Sequence, residues 1–324
     1  MISDRPIRLG SRKSPMAMAQ AHQVRDLLAG RPVEIVGIQT SGDAWMGDLS
    51  DIGGKGTFLK EIDRALVSGK IDIAVNCLKD VPGDVPLPEG TMIAAYLARE
   101  DVHDVVVFPS GSKYASLAEL PAGSRVATSA VRRKAQLLRE RPDLRVERIR
   151  GNVNTRLSKL DAEGRFDAMI AAGVGLRRVG MPERIGEVLA LEDMCPAVGA
   201  GIICVHAREA DRDLVELLRG LDHAETRVHA TAERSMLAAL SGHCNSPIAG
   251  HCTTTADGRL SLTGMVFTSE GGRFARAHGQ DAPDRARELG SSVAAALAHQ
   301  GAHDIIGRTR NMPVTGLKRL FRST

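Results

Sequence analysis

The sequence predicts an α/β protein of two lobes followed by a small α+β domain, and three observations carry that expectation. Over the first two thirds, short apolar runs alternate with helical patterns, the order of sheets joined by crossover helices. Near Gly220 the composition changes: a long helical stretch, His223 to Leu240, gives way to a period-two pattern at Leu260, Leu262, Gly264 and Val266. The length of 324 residues leaves room for two or three domains with a sizeable core. The expected units are 1–97 with 199–219, 98–198, 220–308, and a basic C-terminal tail, 309–324, expected to be disordered.

Each element has a local reason. Pro6 to Gly10 reads as the first strand. Ser14 and Pro15 open a helix as N-cap and first helical residue, with Ala17, Ala21, Val24, Leu27 and Leu28 facing inward. Val33 to Ile38 is a second strand. The glycine loop Gly53-Gly54-Lys55-Gly56 precedes a helix through Phe58, Ile62 and Leu66. Ile71 to Val75 is a buried strand running into Asn76-Cys77-Leu78-Lys79-Asp80-Val81-Pro82. Further strands are expected at Asp104 to Phe108, Arg125 to Ala127, Leu144 to Ile149 and Asp167 to Ala172, and an Ala-rich helix at Asp284 to Ala298. Such alternation implies parallel sheets, and ligands of open α/β sheets bind beyond the C-terminal strand ends. The Gly53 loop, Lys79-Asp80, Thr128-Ser129 and Arg150-Gly151 all fall at such ends and converge on one expected cleft.

Composition narrows the classes of function. Hydrophobic (43%) and charged (25%) fractions are those of a soluble globular protein. Aromatic residues are only 3% and the net charge is +4 with acids and bases interleaved, which argues against a nucleic-acid partner. No stretch approaches membrane-spanning length, so no membrane partner is expected. The five cysteines, Cys77, Cys195, Cys204, Cys244 and Cys252, lack metal-ligand spacing and read as cytoplasmic thiols, with no metal site. No exposed apolar stripe demands a partner chain, and a monomer is expected.

The segment Arg150-Gly151-Asn152-Val153-Asn154-Thr155-Arg156 is the most informative. An extended run turns through Gly151 into a helix, whose free N–H groups and dipole favour an anion. Arg132-Arg133 repeats the arrangement after Thr128-Ser129. One such arginine is most simply a solvated surface charge; two constellations within thirty residues point to a pocket for a multiply anionic ligand gripped bidentately. Lys79-Asp80 puts an acid beside a base at a strand end, where Asp80 either caps the turn before Val81-Pro82 or serves chemistry. The Gly53 loop lacks the spacing of a nucleotide-binding loop and is either a mobile loop with one cation or a simple turn. Cys244, beside His243 in a loop after a helix, is an inert thiol or an activated one.

Together these residues resemble the hydroxymethylbilane synthase (porphobilinogen deaminase) family along nearly the whole chain. The resemblance runs through Arg12-Lys13-Ser14-Pro15-Met16-Ala17, Gly53-Gly54-Lys55-Gly56, Leu78-Lys79-Asp80-Val81-Pro82, Thr128-Ser129, Arg132-Arg133, Arg150-Gly151-Asn152, Thr155 to Leu160, Pro196-Ala197-Val198-Gly199, and Glu233-Arg234 followed by Gly242 and Cys244. It implies two lobes like those of type II periplasmic binding proteins plus a small C-terminal α+β domain. It also implies a dipyrromethane cofactor on a thioether to Cys244, and the condensation of four porphobilinogen units into a linear tetrapyrrole with loss of ammonia. In the family's pattern Asp80 stabilises the electron-poor methylene-pyrrolenine. Lys79, Thr128, Ser129, Arg132, Arg133, Arg150 and Arg156 hold cofactor and chain carboxylates; Arg12, Ser14 and Arg178 bind substrate, and Lys55 belongs to a loop over the cleft. The chain departs from the usual pattern at Asn76-Cys77 (His-Ser), Ala127 and Ala130 around Thr128-Ser129, Ala200 (Gln), His243 and Asn245 beside Cys244, and Asp51 (Lys). Two other readings remain: a paralogue acting on another pyrrole or carboxylate, and a non-catalytic anion-binding protein. Retention of Asp80 and Cys244 argues against the last, since carboxylate binding requires neither.

Overall fold

The structure, a computed structural model, describes residues 5–44, 56, 58–162, 164–242 and 246–310. Gly53 to Lys55, residues 243–245 with Cys244, and the tail beyond 310 lie outside the described residues.

Lobe 1 is built on β1 (Ile7–Arg12), β2 (Val33–Ile38), β3 (Ile73–Cys77) and β4 (Thr91–Tyr96). Its helices are α1 (Pro15–Leu27), the short α2 (Ser41–Ala44) and α3 (Lys60–Val67). Lobe 2 holds β5 (Asp104–Val107), β6 (Arg125–Ala127), β7 (Arg145–Glu147), β8 (Ala168–Ala172) and β9 (Glu187–Val188). It carries α4 (Val131–Glu140), α5 (Val153–Ala162) and α6 (Gly173–Arg178). The chain then returns to lobe 1 as β10 (Ile203–Arg208) and α7 (Arg212–Arg219).

Both five-stranded sheets are mixed rather than parallel. Lobe 1 is ordered β2-β1-β3-β10-β4 and lobe 2 β7-β6-β8-β5-β9. In lobe 1 only β10 runs against its neighbours, and in lobe 2 only β5. Each reversed strand is the one that receives the chain from the other lobe. The alternating pattern foretold the helices but not these two reversals, which depend on where the chain crosses.

Ser14 caps α1, accepting from the Ala17 N–H at 3.3 Å. Ala21, Val24 and Leu28 pack on Leu9, Ile73 and Val75 on one face of the sheet, while Ile62 and Leu66 of α3 meet Ile71 and Ala74 on the other. Covered on both faces, β3 is buried at every residue; burying an Ile or Val there is worth about 1.5–3 kcal/mol. Leu27, expected inward, is 51% exposed, because Val24 and Leu28 stack one turn apart and leave it to the side.

The third domain pairs β11 (Ile248–Thr254), β12 (Leu260–Phe267) and β13 (Phe274–Asp281) antiparallel, in sequence order. Its α8 (Ala224–Ala239) and α9 (Ala286–His299) bury Met236, Leu237, Val293 and Leu297 against Leu262 and Val266, with α10 (Ala302–Arg310) alongside. One side chain ties this domain to both interlobe crossings. Glu233 of α8 is fully buried and accepts from the Gly199 N–H (2.7 Å), the Cys252 N–H (2.8 Å) and Arg99 Nη1 (2.6 Å). Gly199 and Gly201 make the second crossing at φ of +73° and +74°; a Cβ on Gly201 would stand 2.4 Å from the Glu100 carbonyl oxygen. Only glycine combines that backbone with that approach.

Candidate active site

The cleft between the lobes is lined from the C-terminal ends of β1, β3 and β8 and the N-termini of α1, α4 and α5. Two cavities lie along it. The smaller is bounded by Arg12, Ser14, Phe58, Asn76, Cys77 and Asp80. The larger is bounded by Lys79, Arg133, Arg156 and Arg178, with Val153, Met169, Val174 and Leu176 as apolar wall. Met16 and Cys77 line both, so the cavities adjoin.

Asp80 closes the single 3-10 turn, Leu78–Asp80, that follows β3 directly. Val81 donates its N–H to the Leu78 carbonyl, so the main chain closes this turn without help from the carboxylate. The Asp80 carboxylate is left 3.9 Å from Arg12 Nη1. Arg12 is held by Asp43 through two hydrogen bonds, 3.0 Å at Nε and 2.5 Å at Nη2, and its guanidinium lies 4.1 Å over the Phe58 ring. Burial works against the charge of Arg12, but the hydrogen bond to Asp43 and the charges of Asp80 and Asp43 outweigh it and raise its pKa. Asp43 is a functional partner that sequence reasoning missed; nothing in a lone acid 31 residues away marks it.

On lobe 2 the cations are less balanced. Arg156 has no carboxylate partner among the described residues; its Nε donates to the Gly151 carbonyl at 2.8 Å, tying the helix start to the turn before it. Burial, then the fields of Arg133, Arg150 and Arg148, lowers its pKa to about 10. Arg133 gives Nη2 to Asp104 at 2.8 Å, and its buried Nε has no partner among the described residues. Lys79 faces the same cavity and forms no ion pair among the described residues. Arg178 is gripped by both oxygens of Glu100, at 2.7 and 3.2 Å, with Nη1 3.9 Å from Cys77 Sγ.

Arg132 behaves differently from its neighbour. It is buried, donates to Asp104 (2.7 Å) and to the Cys195 carbonyl (2.8 Å), and lines neither cavity. Burial opposes the Asp104 charge, but Arg132 and Arg133 together bring its carboxyl down to about 2. Thr128 is buried at the end of β6, receiving the Ala130 N–H at 3.3 Å, and the Ser129 hydroxyl donates to the Ile149 carbonyl, pinning the two arginine turns to each other. Lys55 and Cys244 are outside the described residues, but the approach to Cys244 is visible. Ser241 turns at φ +52° and Gly242 is wedged against Leu237 and Ile248, while Arg234 donates to the carbonyls of Val81 and Pro82, just past Asp80.

Residues 7–216 match the family model described as porphobilinogen deaminase, dipyromethane cofactor binding domain, and 228–299 that of the porphobilinogen deaminase C-terminal domain. The chain belongs to the porphobilinogen deaminase family. It is 50% identical over 304 residues to porphobilinogen deaminase 2 of Streptomyces coelicolor, covering 93% of this chain and 96% of that protein. Among solved structures, the periplasmic VFT2 domain of Bordetella pertussis BvgS is similar at 17% identity and a TM-score of 0.37 over 66% of this chain and 85% of that one. An ancestral arginine-binding protein bound to arginine is similar at 16% identity and a TM-score of 0.37 over 68% and 92%.

The family's cofactor fits what the larger cavity offers. A dipyrromethane bears several carboxylates on flat apolar rings, and the cavity presents four cationic side chains, one with a buried N–H that has no partner among the described residues, over an aliphatic wall. The depressed pKa of Arg156 expresses the same thing: a buried cation crowded by other arginines, with no carboxylate paired to it among the described residues.

Proposed function

We infer that this chain is a hydroxymethylbilane synthase in which Asp80 is the central catalytic group, acting on porphobilinogen in the cytoplasm as a monomer, without nucleic-acid or membrane partners. One observation carries the reading: Asp80 stands in a small cavity that adjoins, through Met16 and Cys77, a larger one walled by Lys79, Arg133, Arg156 and Arg178. A carboxylate for a developing cation thus sits beside a cradle for polyanions. The four described free cysteines, all buried, support a reducing compartment. Sheet membership supports taking 1–97 with 199–219 as lobe 1, 98–198 as lobe 2 and 220–308 as the third domain, with 309–324 as a basic tail.

Arg133, Arg150, Arg156 and Lys79 would hold the carboxylates of the dipyrromethane, with Thr128 and Ser129 fixing the turns that aim the arginines. When bound, that group supplies the pyrrole on which the chain is built, tethered at Cys244. Arg12, Ser14 and Arg178 would receive the incoming porphobilinogen, and Lys55 would act from its loop. As the C–N bond of the aminomethyl group breaks and ammonia departs, positive charge spreads over the substrate's methylene carbon and ring. The Asp80 carboxylate would lower the energy of that charge from its place in the small cavity. Arg12 is already matched to Asp43, so it orients Asp80 without cancelling the charge the reaction needs.

Intact mass of the purified protein, with ammonia and tetrapyrrole followed on addition of porphobilinogen, tests this directly. The parent should carry a dipyrromethane adduct and release ammonia; Cys244→Ala should lose both and keep its fold by circular dichroism. An unmodified parent thiol with no ammonia release would favour the anion-binding alternative.

A further inference from the structure

Asn76, the penultimate residue of β3, is 5% exposed, and its amide Nδ2 has no hydrogen-bond partner among the described residues. Buried donors are nearly always paired, and an unpaired one is unfavourable. The β1–β3 register sets Leu9 beside Ile73 and Gly10 beside Ala74; continued by two residues, it places Asn76 beside Arg12. Asn76 lines the same small cavity as Arg12, Ser14 and Asp80. Arg12 is held at Nε and Nη2 by Asp43, and the Gln20 amide reaches Cys77 Sγ at 3.1 Å. Ser14 receives the Ala17 N–H as the α1 cap. The Asn76 amide is thus a buried donor at this cavity with no partner among the described residues, left for something that enters.

We propose that Asn76 is a specificity-determining residue, donating its Nδ2–H to a carboxylate arm of the incoming porphobilinogen. This rests on the synthase reading. Charge explains why a carboxamide suits the position. A lysine or arginine beside Asp80 would pair with its carboxylate and compete with the cation that forms on the substrate. An acid would repel the arm. A neutral donor holds the arm and leaves the Asp80 charge available to the reacting carbon.

The test uses the purified holoenzyme with porphobilinogen, reading KM and kcat from ammonia release, adduct from intact mass, and Tm. Asn76→Leu, close in size but without the amide, should raise KM about 10- to 100-fold, the loss of one hydrogen bond to a charged group. The adduct should remain, kcat should change far less than KM, and Tm should not fall, because the deleted donor has no partner in the free protein. Asn76→His, which restores an N–H, should recover part of the loss. An unchanged KM in Asn76→Leu overturns the proposal, as does a fall in Tm or kcat with KM intact, since either marks a merely structural amide. Should the leucine variant not fold, Asn76→Ala is read the same way. A parent lacking adduct and ammonia release would instead overturn the synthase reading, which separates the two failures.

Discussion

Arg12 on lobe 1 and Arg156 on lobe 2 face one cleft from opposite sides, in opposite electrostatic settings. Arg12 is matched by Asp43 and lies near Asp80, and its pKa is raised in spite of burial. Arg156 is surrounded by Arg133, Arg150 and Arg148, and its pKa falls to about 10. Arg12 thus arrives balanced by two carboxylates, whereas Arg156 arrives buried among other arginines without a carboxylate of its own among the described residues. A buried cation crowded by like charges costs stability in the free protein, and that cost is recovered when an anion binds beside it. On the proposed reading the contrast separates holding from chemistry: lobe 2 would grip the carboxylates, and lobe 1 would offer the charge that the reaction uses.

The comparison breaks most visibly at Asp104, which anchors the arginine pair of lobe 2. Asp104→Asn leaves Arg132 buried without its counter-charge, and unfolding in urea should show a loss of about 3–5 kcal/mol. The same carboxyl sets a pH dependence. Its folded pKa of about 2 lies below the usual value near 3.9, so its stabilisation is complete above about pH 4 and is lost as pH falls towards 2. The parent should lose stability across that window, and Asp104→Asn should be flatter there; parallel curves would show that Asp104 is not the anchor. A smaller effect is expected at Arg156. Arg156→Ala removes a charge-assisted contact worth about 1.5–3 kcal/mol to a bound carboxylate. The fraction of protein carrying the adduct, or the extent of chain growth, should fall while Tm holds or rises, because repulsion among the arginines is relieved. Full loading and normal elongation in Arg156→Ala would make that arginine a solvent-facing charge.

Much of this was legible in the chain. Ser14-Pro15 announced α1, the apolar run before Asn76 announced β3, and the two arginine turns foretold arginines at the starts of α4 and α5. What the sequence did not disclose depends on distant partners. Arg132 and Arg133 are adjacent and chemically identical, and both bond Asp104, yet Arg132 is spent on the Cys195 carbonyl while Arg133 also lines the cleft; only the turn of α4 against lobe 2 decides which. β10 hid in the apolar stretch Ile202 to Ala207, whose lack of alternation reflects burial on both faces and gives no sign of direction. Asp43 and Glu100, which tune Arg12 and Arg178, sit 31 and 78 residues from them, beyond any local pattern.

The division of labour between the walls is tested most directly by ammonia release and intact mass on Asp80→Asn. This variant keeps the shape and a carbonyl acceptor and deletes only the charge. The account predicts that the adduct remains while ammonia release drops roughly 10²–10³-fold, the usual loss for one preorganised charge-stabilising group. Ammonia release at the parental rate would make Asp80 a structural residue of the turn after β3 and would contradict the account.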